Sequence, residues 1–190
     1  MAFQSFFVSY GKFHNNIVNK LIHIVFIPTI VFCIMGTSHY YPLADIGFVY
    51  EKLDLGLVMC LLLPILYIFQ EVVTGCVTTA MLHVLYYFSL QSFKANQDVN
   101  DYFYGVPYFW FLLYLQAFSW IMQFIGHGVF EKRAPALLSN LFSALVAPDF
   151  VVIEILYMFG YNKKAIDEAQ VEIDADISAY WNMGKKTKAE

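Results

Sequence analysis

The sequence predicts an all-α fold, a polytopic membrane helical bundle of about four spans with a broken or re-entrant fifth hydrophobic segment. Three observations carry this reading. The 190 residues are 59% hydrophobic and only 14% charged, against about 45–50% and about 25% in ordinary soluble domains. The chain has 11 Lys and Arg and 15 Asp and Glu, and 11 of these charges fall in the last 30 residues. Residues 1–160 therefore read as a nearly charge-free membrane domain, and 161–190 as a polar tail. Within 1–160, apolar runs recur near the roughly 17–25 residues that a helical span needs.

The opening "MAFQSFFVSYGKFHNN" has neither a cationic leader nor a small-residue cleavage site and is expected to be mature. The first span, "LIHIVFIPTIVFCIMGT" (21–37), is just long enough. The run 55–69 is short, with Pro64 expected to kink it. Only Gln70 and Glu71 separate it from the third run, 72–90, which predicts a tight polar hairpin tip. His83 in that run is expected to serve packing or an interhelical hydrogen bond. The fourth run covers 106–125. The segments 38–54 and 91–105 collect the turn formers and read as loops, so His39 is expected to face solvent.

Segment 134–159 differs. Pro148 interrupts it, and Asp149 and Glu154 are costly in contact with lipid. Two half-helices meeting at Pro148 are expected, buried in protein as a re-entrant hairpin. Asp149 would cap the second half and Glu154 would pair with a cation. In the tail, Ile166, Ala169, Ile173, Ile177 and Tyr180 recur at helical spacing, predicting an amphipathic helix followed by a loose "MGKKTKAE". Cys33, Cys60 and Cys76 lie in apolar runs without CxxC spacing, which argues against a disulfide framework or a thiolate metal site. The net charge of −4 comes with no basic stripe, so nucleic acid is not expected as a partner.

If the four spans each cross once, the N-terminus and residues 126–134 emerge on the same side. Lys12, Lys20, Lys132 and Arg133 flank them, which predicts the cytoplasmic face. Two polar stripes then face one another. Gln116, Ser119, Gln123, His127 and Glu131 share one helical face, and Asn16, Asn19, Lys20 and His23 share another. Nine residues separate His14 from His23, about 900° on a continuous helix. They meet only if the helix breaks at "HNN", where Asn is a good cap. His14, His23, His127 and Glu131 are the candidate catalytic and metal-ligating residues. Imidazoles with one carboxylate are the donor set of mononuclear Fe(II) oxygenases, with positions left open for substrate and O2. Lys20, Arg133, Asn19 and Gln123 are the candidate substrate contacts, Arg being the better carboxylate fork. The plainer reading makes Lys132 and Arg133 interfacial anchors and His127 and Glu131 an ordinary i, i+4 pair.

The blocks "YGKFHNNIVNKLIHIVFIP" (10–28), "WIMQFIGHGVFEKRAPALL" (120–138) and "APDFVVIEIL" (147–156) resemble the 2-hydroxy-palmitic-acid dioxygenase-like family over about residues 5–159. The resemblance implies Fe(II)-dependent α-oxidation, in which a 2-hydroxy fatty acid loses one carbon using O2, in lipid and sphingoid-base breakdown. The family's pattern histidines fall on His14, His23 and His127, with Glu131 in the same motif. The acyl chain would lie among the first, third and fourth spans. The endoplasmic reticulum membrane is the expected location, and "KTKAE" has the K-x-K-x-x form of a retrieval signal. The rival reading is a non-catalytic accessory subunit of a larger membrane assembly, with the mitochondrial inner membrane as the alternative location.

Overall fold

The computed structural model describes residues 2–47, 52–96, 102–103, 105–135 and 142–186. Helix α1 (Ala2–Gly11) is followed by α2 (Ile17–Ser38), α3 (Leu55–Gln70) and α4 (Val72–Ala95). Helix α5 (Tyr108–Ile125) runs directly into a π-helical segment, Gly126–Glu131, and α6 (Phe142–Met158) and α7 (Lys163–Lys186) complete the described chain. Two short antiparallel hairpins lie in the connections. Strand β1 (Ala44–Asp45) pairs with β2 (Lys52–Leu53), and β3 (Tyr102–Phe103) pairs with β4 (Val106–Pro107). Helix α4 reaches Ala95, so the expected loop at 91–105 starts later than its composition implies.

Among the described residues, three helical stretches are long and apolar enough to cross a bilayer: Ile17–Ser38, Val72–Ala95 and Tyr108–Glu131. Helix α3, with 16 residues, spans about 24 Å at 1.5 Å per residue, short of the roughly 30 Å hydrocarbon core. The outward faces of these helices are greasy. Leu61, Ile65, Val84, Phe88, Phe118 and Ile121 are all exposed, a girdle that suits lipid rather than water. Helix α2 lies at the centre, packed against α5, α4, α6 and α3.

Glu71 builds the hairpin between α3 and α4. Its carboxylate accepts from Val73 N at 3.1 Å and Thr74 N at 2.7 Å, capping α4. The helices touch so closely here that a Cβ on Gly75 would stand 2.6 Å from the Tyr67 carbonyl carbon.

Several expectations are corrected. Pro148 does not divide the fifth segment: it lies inside the continuous helix α6. Asp149 caps nothing. It is fully buried and accepts from Thr78 Oγ1 at 2.7 Å, joining α6 to α4. The break comes later, where Gly160 (φ 87°) and Asn162 (φ 49°) take left-handed conformations and α7 turns 114° away from α6. The amphipathic tail helix exists, with Ile166, Ala169 and Ile173 buried against Phe7, Val8 and Phe150. It continues through Lys186, so the first half of "MGKKTKAE" is helical and 187–190 lie outside the described residues. His83 Nδ1 donates within its own helix, to Thr79 O at 2.8 Å.

His39 is buried, not solvent-facing. Its Nδ1 lies 2.6 Å from Asp54 Oδ2 and its Nε2 lies 3.0 Å from Ser89 Oγ. Tyr86 OH donates to the same Asp54 oxygen at 3.1 Å, while Asp54 Oδ1 caps α3 through Leu57 N at 2.8 Å. The cluster ties the C-terminal end of α2 to α3 and α4. Burial opposes ionisation of Asp54, but the hydrogen bonds from His39, Leu57 and Tyr86 hold its carboxyl below the usual range.

Candidate metal centre

The centre forms where the first helix stops and the second begins. After Gly11, the Phe13 and His14 amides donate to Tyr10 O and Gly11 O at 2.9 and 3.1 Å, closing a tight turn. Asn16 is extended (φ −72°, ψ 128°) and its side chain accepts from Val18 N, so α2 starts afresh at Ile17. This is the break expected at "HNN". It lets His14 approach from the turn while His23 projects from α2. The third imidazole comes from the π-helical segment, which holds His127 buried and ends at Lys132 in a left-handed conformation (φ 55°). A π segment inside a helix is a recurrent functional-site device, and nothing in the residue pattern announced it.

His14, His23 and His127 converge. Their ring centroids are 4.5, 4.7 and 5.0 Å apart, with interplanar angles of 81°, 75° and 89°. One nitrogen from each lies within 4.8 Å of the others. The hydrogen bonds decide what these nitrogens can do. His14 Nδ1 meets Tyr10 O at 3.0 Å and His23 Nδ1 meets Asn19 O at 2.8 Å. A carbonyl oxygen only accepts, so each Nδ1 carries the proton. Each Nε2 is then a bare lone pair, and the two Nε2 atoms face each other at 3.1 Å. His127 Nδ1 is buried with no hydrogen-bond partner. Two lone pairs do not attract one another. The arrangement calls for an electron-pair acceptor between them, and the three rings fit a metal ion. The backbone carbonyls behind His14 and His23 are the outer-shell partners that orient ligating imidazoles. Burial, then the neighbouring His23 and His127 rings, push His14 well below the ordinary histidine range, so it stays neutral and available as a donor.

The other expected site residues divide. Glu131 stands outside the three-histidine group. Its oxygens accept from Asn15 N at 3.1 Å, Asn16 N at 2.9 Å and Asn19 Nδ2 at 3.1 Å, an anion seated at the N-terminus of α2. Lys20 is paired with Glu154, the cation partner anticipated for that carboxylate, at 2.9 and 3.1 Å. Arg133 lies between the rings of Phe13 and Tyr180 at 4.4 and 4.6 Å. It donates to Lys12 O at 2.8 Å and Asp176 at 3.1 Å. Asp176 also meets Lys12 at 3.1 Å. These contacts clamp α7 over the site.

Gln123 is buried and lines a cavity of about 200 Å³ that opens from the three imidazoles. The cavity is otherwise largely apolar, bounded by Ile27 and Ile30 of α2, Leu63 of α3 and Leu145 of α6. It runs between α2, α3, α5 and α6. No α4 residue is among its described lining, so the third span does not contribute the wall expected of it.

Tyr10 was not singled out in the sequence. Its ring stacks on His14 at 3.7 Å and 6°, and on Phe150 with the same spacing and angle. The four-residue spacing of Tyr10 and His14 was the available signal.

Fold and site together define a multi-span membrane protein with a buried three-histidine group, able to hold a metal ion, at the head of an apolar cavity. Residues 1–159 match the family described as 2-hydroxy-palmitic acid dioxygenase Mpo1-like, and the chain belongs to that family. It is similar to the 2-hydroxy-palmitic acid dioxygenase MPO1 of Saccharomyces cerevisiae, 34% identical over 169 residues, covering 88% of this chain and 86% of the yeast protein. No solved structure matches.

Proposed function

We propose that this chain is an Fe(II)-dependent dioxygenase that shortens 2-hydroxy fatty acids by one carbon, in lipid and sphingoid-base breakdown at the endoplasmic reticulum membrane. The observation that carries the reading is the pair of Nε2 lone pairs 3.1 Å apart at His14 and His23, with His127 closing the third side. One O2 balances the reaction: RCH(OH)COOH and O2 give RCOOH, CO2 and water. Bound iron supplies the redox capacity that side chains lack and brings O2 and substrate into register. His14, His23 and His127 hold it.

Three neutral imidazoles leave a dication's charge uncompensated, which favours an anionic substrate head. The apolar cavity between α2, α3, α5 and α6 takes the chain and excludes water from the reacting end. Glu131 serves from the side. By gripping the Asn15–Asn16 turn it holds His14 in place, and Asn19 braces that carboxylate in turn. Lys20 and Arg133 are neutralised by Glu154 and Asp176, so the pull on a carboxylate comes from the metal site.

The test is metal content of the anaerobically purified protein beside His127→Ala. The native protein is expected to hold near-stoichiometric iron and to consume O2 with 2-hydroxypalmitate. The variant is expected to lose both, by more than the roughly 100-fold that outer-shell changes cost. A folded native protein that takes up no Fe(II) on reconstitution would refute the reading.

A further inference from the structure

Along the polar stripe of α5, each side chain but the last finds its partner inside the protein. With its amide oriented to suit its neighbours, Gln116 donates to Ile30 O at 3.1 Å and accepts from Trp120 Nε1 at 3.0 Å. Ser119 Oγ donates to Leu115 O at 2.7 Å. Gln123 breaks the series. It is 6% exposed, and its Nε2 is buried without a hydrogen-bond partner. Its side chain is the only amide among the described residues lining the cavity, one turn ahead of His127.

A buried N–H left unmade is destabilising, more so than an apolar group of the same shape. Hydrocarbon cannot satisfy it, so a bare acyl chain filling the cavity leaves the penalty in place. An oxygen acceptor arriving with the ligand removes it. The side chain does not titrate near neutral pH, so it is a donor whatever the charge of its surroundings. Together with the bare His14 and His23 nitrogens, it marks where the cavity stops being a chain-binding slot.

We infer that Gln123 is the head-group specificity residue: its amide N–H donates to an oxygen at the head of the bound acid, the carboxylate or the 2-hydroxyl. The inference rests on the 2-hydroxy fatty acid reading above. A site built around a donor discriminates strongly against ligands that lack the matching acceptor, whereas an all-apolar pocket would take any chain of the right girth.

The test uses the full-length, iron-loaded protein in detergent without O2, so that binding is measured without turnover. Gln123→Met keeps length and volume and removes the donor, and Gln123→Leu is the check on shape. The ligands are 2-hydroxypalmitate, palmitate, 1,2-hexadecanediol and 1-chlorohexadecane. Both variants are expected to keep their iron and bind 2-hydroxypalmitate about 10- to 100-fold more weakly, with 1-chlorohexadecane unaffected. A loss shared by palmitate but not the diol assigns the carboxylate, and the reverse assigns the hydroxyl. Either supports the inference. Unchanged affinity for 2-hydroxypalmitate, an equal loss for 1-chlorohexadecane, or loss of iron would overturn it. Failure of the native protein to bind 2-hydroxypalmitate would instead overturn the substrate reading, and this inference with it.

Discussion

Single side chains at the centre are governed by what each nitrogen and oxygen is already doing. His14 and His23 donate backward to carbonyls of their own turns, so their Nε2 atoms point bare into the cavity. Glu131 is already engaged by the amides of Asn15 and Asn16 and the side chain of Asn19. These commitments separate two roles that sequence alone could not tell apart. Residue types and spacing pointed to all four groups. The carbonyls that free the histidines lie four residues away, but the partners that engage Glu131 lie more than 100 residues away, beyond the reach of any local pattern. Glu131→Gln therefore has a distinctive expected result. Loss of the anion at the start of α2 should cost about 1 kcal/mol of stability and weaken iron retention by about tenfold, not abolish it. Iron titrations and thermal melts of the variant beside His127→Ala would check this. A loss as complete as that of His127→Ala would make Glu131 a ligand.

At the scale of elements, caps and breaks were legible where a side chain signals them. Asn16 starts α2 and Glu71 starts α4, each by its own hydrogen bonds. Pro148 misled for a physical reason: a proline inside a membrane helix is tolerated when neighbouring helices and side chains compensate. The real turn lies at Gly160 and Asn162, residues that adopt positive φ readily. The π-helical segment was not legible, because its extra residue per turn is imposed by packing against α2. The α3–α4 hairpin depends on close backbone contact at Gly75. Gly75→Ala should force the helices apart and cost about 1–3 kcal/mol, lowering the melting temperature in detergent. An unchanged melting temperature would show that the contact has room to relax.

Across the whole molecule, α2 joins two polar clusters that stand towards its opposite ends, one at His23 and one at its C-cap His39, about 24 Å apart along its axis. One is the three-histidine centre; the other is His39, Asp54, Tyr86 and Ser89. The second ties the end of α2 to α3 and α4, as a clasp. His39→Ala should leave iron content unchanged yet destabilise the fold by about 1–3 kcal/mol, since Asp54 and Ser89 each lose a buried hydrogen-bond partner. Because the folded-state pKa of Asp54 is depressed, its contribution is present above the unfolded value of about 3.9 and is lost as pH falls through the lower folded value. Melts between pH 7 and pH 3 should show the native protein losing stability below about pH 4, with Asp54→Asn flattening that fall. An identical acid limb in the variant would remove the clasp from the account.

Composition and hydrophobic period by themselves determined the membrane bundle, the positions of its long helices and the amphipathic tail, while polar residue types at helical spacing and the family blocks singled out His14, His23, His127 and Glu131. The bundle, helices and tail follow from how a short stretch of chain meets lipid and water. Only the tertiary structure decided that the imidazoles meet edge to face, that Glu131 serves α2 and Arg133 serves α7, that His39 is interior, and that the cavity lies against α3 and α6. Partners of buried polar groups are chosen by which helices pack together, and that choice belongs to the whole chain.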